Sequence, residues 1–88
     1  MTPEQRKLAR HALGLPNNRR KSYRNAFVTG KSTSDHPHWM AMVASGDATR
    51  RDGKTIPYGG DDIFYLTRAG AEKALEPRES LDPEDFPS

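Results

Sequence analysis

The chain must fold on very few large apolar side chains and without a covalent staple. Leu, Ile, Val and Phe together number 13 of its 88 residues, and cysteine is absent. So low a share usually accompanies disorder when net charge is also high. The formal net charge is only +2, so one small domain with a compact core is the expected product. The missing cysteine excludes disulfides, thiolate zinc sites and thiol nucleophiles. No apolar run approaches the roughly 18 residues of a membrane span. Glu4, Gln5, Arg6 and Lys7 stand where an apolar signal-peptide core would have to begin. A soluble, cytoplasmic protein is the expectation, with no membrane partner and no cofactor.

The small net charge conceals an asymmetry. Residues 1–34 sum to +7, residues 35–54 to zero and residues 55–88 to −5. A basic head on an acidic end points to a polyanion partner at the head. A surface whose two ends merely balance each other is the bland alternative.

Local signals divide the chain into short elements. Thr2 as N-cap, Pro3 in the first turn and Gln5 completing a capping box predict a helix over 2–14, stopped by Gly14 and Pro16. Its inward stripe is Leu8, Ala12 and Leu15, widened by Ala9, with Arg6 and Arg10 on the other side. After the polar connection PNNRRK, Ser22 as cap and Tyr23, Ala26 and Phe27 at helical spacing predict a short helix to Thr29. A loop over 29–35 follows. Asp35 caps a helix to Ser45, with Pro37 just inside and Trp39–Ala44 apolar nearly all round, hence central to the core.

The second half alternates with turns. Ala48–Arg51 predicts a strand, 52–62 a long hairpin tip, and Asp62–Leu66 the best strand of the chain. Thr67 caps a last helix that faces Ala71, Ala74 and Leu75 inward. Residues 1–76 are thus expected to form the domain, and the acidic, Pro-rich residues 77–88 a tail that is disordered or loosely laid on it. No internal repeat is visible.

This order of elements resembles a winged helix. The likeness is carried by Trp39-x-x-x-Val43-x-x-Gly46 followed by Ala48 and Arg50-Arg51, and by Ile63-Phe64-Tyr65-Leu66-Thr67-Arg68-Ala69-Gly70 with the helix after it. It implies an α+β fold with about three N-terminal helices, a two-stranded β-hairpin wing and a C-terminal helix, and a DNA-binding role. The whole chain is also similar to small phage and prophage proteins. DNA-reading helices of the winged-helix family present polar side chains to the major groove. The corresponding helix here offers His36, His38 and Ser45, and no Arg, Asn or Gln for base edges. Contact through phosphates is therefore expected to dominate, with a regulatory role as one outcome.

Arg19, Arg20, Lys21 and Arg24, with Tyr23 among them, are the candidate nucleic-acid contacts, and Arg50, Arg51 and Lys54 on the wing would extend them. Double-stranded DNA is the expected partner, and half-site reading by such domains often takes a homodimer. The alternative is a host-directed interaction module, an anti-defence factor for example, using Tyr58 at the hairpin tip with Met40 and Met42. His36-x-His38, with His11 and Asp35, lacks a third ligand at proper spacing, so no metal is expected. Asp61-Asp62 is accounted for by turn chemistry, Ser22, Ser32 and Ser34 lack a base, and Gly59-Gly60 lacks a phosphate-loop frame, so no catalysis is expected either. The acidic Asp82, Glu84 and Asp85 are expected to fold back on the basic loop, so that deleting 77–88 would tighten DNA binding.

Overall fold

The computed structural model describes residues 1–53 and 60–87. They form a small α+β domain of three helices and one three-stranded antiparallel sheet. The elements are α1 (Pro3–Leu13), β1 (Phe27–Thr29), α2 (His36–Ala44), β2 (Ala48–Arg51), β3 (Asp62–Leu66) and α3 (Arg68–Ala74). The sheet order is β1-β3-β2. The last strand in sequence is therefore the central one.

Helix α1 has the ends its sequence predicts. Thr2 Oγ1 accepts from Gln5 N–H at 3.1 Å, and Gln5 Oε1 accepts from Thr2 N–H at 3.0 Å. Gly14 adopts the left-handed conformation with φ 79°, which a side chain would disfavour. The buried face is Ala9, Ala12 and Leu13, with Leu8 partly covered and Leu15 buried beyond the helix. Arg10, expected on the solvent side, is buried. Its guanidinium donates to Glu79 through Nη1 at 2.5 Å and Nη2 at 2.8 Å. A paired charge can be covered where a lone one cannot.

The predicted short helix over Ser22–Thr29 is not there. Residues Phe27–Thr29 are strand β1, and the chain before it runs extended beside α1, Tyr23 N–H on Leu13 O and Ala26 N–H on Ala12 O. Asn25 extends the pairing with its side-chain amide, donating to Leu66 O at 3.0 Å and accepting from Leu66 N–H at 2.8 Å. The apolar spacing that suggested a helix spans barely one turn, so backbone pairing with β3 outweighs it. Ser22 does not cap. It is buried and its Oγ accepts from Asp82 N–H at 2.8 Å.

Helix α2 covers the sheet with one face only, through Trp39 and Met42. Met40, Ala41 and Ala44 face solvent, so the expected all-round burial does not occur. Asp35 makes no side-chain cap hydrogen bond. Trp39 stacks on Phe64 with centroids 5.5 Å apart and lies tilted 5.2 Å from Phe27. Its buried indole N–H finds no partner among the described residues.

Register assigns the strand residues to faces, since neighbours alternate. Phe27 pairs with Phe64 and Phe64 with Arg50, while Val28, Ile63 and Arg51 form the next row. Phe64 and Leu66 therefore share the helix-covered face with Asp62. Helix α3 starts at Thr67, whose Oγ1 accepts from Gly70 N–H at 3.1 Å and donates to Gly46 O at 2.8 Å. Gly70 sits against the Asp47 backbone, where any Cβ would collide with the carbonyl. Asp47 is held down in pKa mainly by Lys73, 2.8 Å away, and then by Ser45.

The acidic end, expected to be disordered or loosely laid, packs on the domain. Ser80 pairs with Lys21: Ser22 N–H donates to Ser80 O at 3.0 Å and Ser80 N–H to Arg20 O at 2.9 Å. Phe86 joins the core, Leu81 is partly buried against it, and Arg68 donates to the Phe86 carbonyl. Two apolar anchors and the Arg10–Glu79 pair outweigh the segment's polar composition. Deleting 77–88 would remove all three, so it cannot isolate the effect of the tail's charge.

This anchoring has a pH signature. Arg10 holds the Glu79 carboxyl down to about 2, from an ordinary 4.5. A carboxyl with a depressed folded value contributes stability in full above its unfolded value and loses it as pH falls towards the folded one. Glu79→Gln is therefore expected to lower the melting temperature above about pH 5, the gap to wild type shrinking towards about pH 2. An equal gap across that window would refute the assignment.

Candidate nucleic-acid interface

The basic loop between α1 and β1 is shaped by one side chain. Asn17 Oδ1 accepts from Arg19 N–H at 3.0 Å, and its Nδ2 donates to Gly14 O at 3.0 Å and Lys21 O at 2.8 Å. An asparagine in this role replaces the backbone pairing that a turn otherwise lacks. Arg20 has φ 54°, a conformation that costs a side-chain-bearing residue roughly 1 kcal/mol. It is held there from both sides, its N–H on Asn17 O and its carbonyl accepting from Ser80. Arg19, Arg20 and Lys21 are exposed as a result, and among the described residues their side chains make no hydrogen bond or ion pair.

Tyr23 and Arg24 have a different arrangement. Tyr23 is 59% exposed, high for a large aromatic on a folded chain. Its ring lies against Gly14, where a Cβ would overlap it. The Arg24 guanidinium sits over the ring, 5.3 Å from its centroid, and is itself fixed by donating to His11 O at 2.7 Å. Arg24 is thus a backing for the ring before it is a phosphate clamp. A hollow of about 490 Å³ opens beside Tyr23, lined by Asn17, Asn18, Arg19, Lys21, Ser22 and Asp82.

Of the wing residues, Arg50 and Arg51 do not extend this patch. The loop leads into β1 at one edge of the sheet, whereas Arg50 and Arg51 lie on β2 at the other. Arg50 Nε donates to Asp62 Oδ2 at 2.9 Å and its Nη2 to Asp52 at 3.2 Å. It is engaged inside the fold. Arg51 points to the opposite face and is exposed. Lys54 and Tyr58 lie outside the described residues. Of the residues named for a protein partner, Met40 is 37% exposed, but Met42 is fully buried in the core. That correction follows from α2 burying every third position against the sheet.

The constellation that residue spacing did not reveal is centred on Asp62. Its carboxylate has no solvent exposure. It accepts from His36 Nε2 at 2.8 Å, Arg50 Nε at 2.9 Å and Gly53 N–H at 3.0 Å. These bonds, led by His36 and Gly53, push its pKa well below the usual carboxylate range. Asp62 therefore joins the start of α2, strand β2 and the hairpin at one point. Turn chemistry does not describe it. The alternation of DIFYL was the available signal, because it puts Asp62 in phase with Phe64 and Leu66 on the core face. A carboxylate in that phase requires donors.

Among the described residues no cluster of His, Asp and Glu has the makings of a metal site. No helix among them is long and apolar enough to cross a membrane. Compared with known proteins, the chain matches no family model, no curated protein and no solved structure.

Proposed function

We propose that the protein is a non-enzymatic nucleic-acid-binding domain that contacts phosphates through the loop at Arg19, Arg20 and Lys21. One observation carries the reading: three consecutive cations are exposed and unpaired among the described residues, on a backbone braced by Asn17 and Ser80. Elsewhere the buried or half-buried cations are spent inside the fold, Arg10 on Glu79 and Arg50 on Asp62. Cations left together on a rigid loop favour a polyanion and release its counterions on binding. The β2–β3 hairpin followed by the capped α3 supports a winged-helix reading of the fold, and β1 in place of a second helix departs from it.

The test is a titration of the protein with DNA at low salt, followed by backbone amide shifts. Shifts are expected to cluster in residues 16–24 and to vanish as salt rises. An unmoved spectrum would end the proposal. Neutralising the tail outside the hollow without unfolding it, by Glu84→Gln and Asp85→Asn together, is expected to tighten binding several-fold at low salt. Asp82 is kept, since its carboxylate lines the hollow and accepts from Glu84 N–H. Unchanged affinity would show that the tail does not compete.

A further inference from the structure

Among the described residues Tyr23 is the one large aromatic left exposed next to unpaired cations, and its ring is braced. Its backbone N–H is on Leu13 O, its ring edge rests on Gly14, and Arg24 backs it while anchored to His11 O. The adjoining hollow of about 490 Å³ is lined by Tyr23 together with Arg19, Lys21, Asn18 and Asp82, so its apolar surface is edged by polar groups. Among the described residues Asn18 makes no side-chain hydrogen bond. Cations, a free amide, a carboxylate and an aromatic surface together match a nucleotide, whose phosphate, base edge and base face need different partners.

The helix that would have to read a duplex is unsuited to it. Of its three polar candidates, His36 is turned onto Asp62, and Ser45 Oγ donates to Met42 O and Asp47. Only His38 is left. A duplex, moreover, buries its base faces in its own stack, so an exposed ring finds nothing there to cover. Single-stranded nucleic acid offers those faces, and stacking on aromatic side chains beside a basic groove is how such strands are held.

We infer that the loop is a single-strand site, in which an unpaired base stacks on Tyr23 inside the hollow while its flanking phosphates lie on Arg19 and Lys21. This rests on the phosphate-binding reading above and narrows its ligand. Asn18 and Asp82 are then placed to meet the base edge, the carboxylate accepting from an exocyclic amine.

The experiment compares a labelled single-stranded DNA of about 12 nucleotides with its blunt duplex, by fluorescence anisotropy at low salt. The single strand is expected to bind tighter. Tyr23→Phe should keep that affinity, and Tyr23→Ala should lower it about 5- to 100-fold with an unchanged salt slope, because no phosphate contact is lost. Tyr23→Leu, which still covers Gly14 but has no aromatic face, should weaken binding as the alanine variant does. A 2-aminopurine in the strand should be quenched by wild-type protein and not by Tyr23→Leu. Equal affinity of strand and duplex, or full affinity of Tyr23→Leu, would overturn the single-strand site and leave the phosphate-binding reading standing. Absence of binding to either nucleic acid would overturn both.

Discussion

Replacing Asp62 with alanine is expected to destabilise the domain by about 3–5 kcal/mol, the usual result of deleting one member of a buried charge network. For a domain of this size that is a large share of the stability available, roughly 4–13 kcal/mol at 0.05–0.15 kcal/mol per residue. The cause is what alanine leaves behind. Gly53 N–H and His36 Nε2 would lose their acceptor in a place with no solvent access, and Arg50 would lose its closest partner. Each buried donor left without a partner costs about 1–3 kcal/mol, more than the net value of the bond it made. Asp62→Asn keeps an oxygen for Gly53 but removes the charge, so it should fall between alanine and wild type. Urea melts followed by tryptophan fluorescence provide the measurement, since Trp39 stacks on Phe64, two residues along the same face. A loss within about 1 kcal/mol for the alanine variant would mean that water reaches the site and that Asp62 is not the junction described.

Replacing Arg19, Arg20 and Lys21 together with glutamine should weaken binding to nucleic acid about 100-fold or more at low salt, and flatten the dependence of log affinity on log salt by about 2. The slope is the more telling readout. It counts phosphate contacts and is indifferent to whatever the base faces contribute. The fold should survive, because the loop is held by Asn17 and by the backbone of Arg20, neither of which uses the replaced side chains. Arg50→Gln is the contrast. It should alter stability through Asp62 and leave the salt slope alone, since Arg50 is occupied within the fold. A triple variant that binds with wild-type affinity and slope would remove the loop from the interface.

Both results depend on telling cations that face solvent from cations that serve the fold, and the sequence shows all of them alike. Arg10 and Arg19 are equally plausible surface residues until Glu79, far along the chain, is seen beneath Arg10. The resemblance to a wing gives Arg50 a nucleic-acid contact, since wings commonly touch the backbone or minor groove. Its diagonal neighbour Asp62 reversed that. The prolines and acids of the tail make it look disordered, whereas Leu81 and Phe86 decide its position. Two apolar residues are too few for composition to register, yet they suffice once a groove exists to receive them.

The sequence by itself determined the elements whose stabilising partners are near in the chain. Thr2 with Gln5, Gly14, the apolar run of β3, and Thr67 with Gly70 each carry their own hydrogen bonds or steric requirement within a few residues. The pairing of Phe27–Thr29 with β3, the burial of Arg10, the docking of residues 79–86 and the exposure of Tyr23 were decided only by the tertiary structure. In the first three of these the partner lies tens of residues away, as Asn25 does from Leu66 and Arg10 from Glu79. A local pattern can state that a donor must be satisfied or an apolar face covered. Which distant group does so is settled when the chain closes on itself, and that closure is what leaves Arg19, Arg20, Lys21 and Tyr23 unclaimed on one loop.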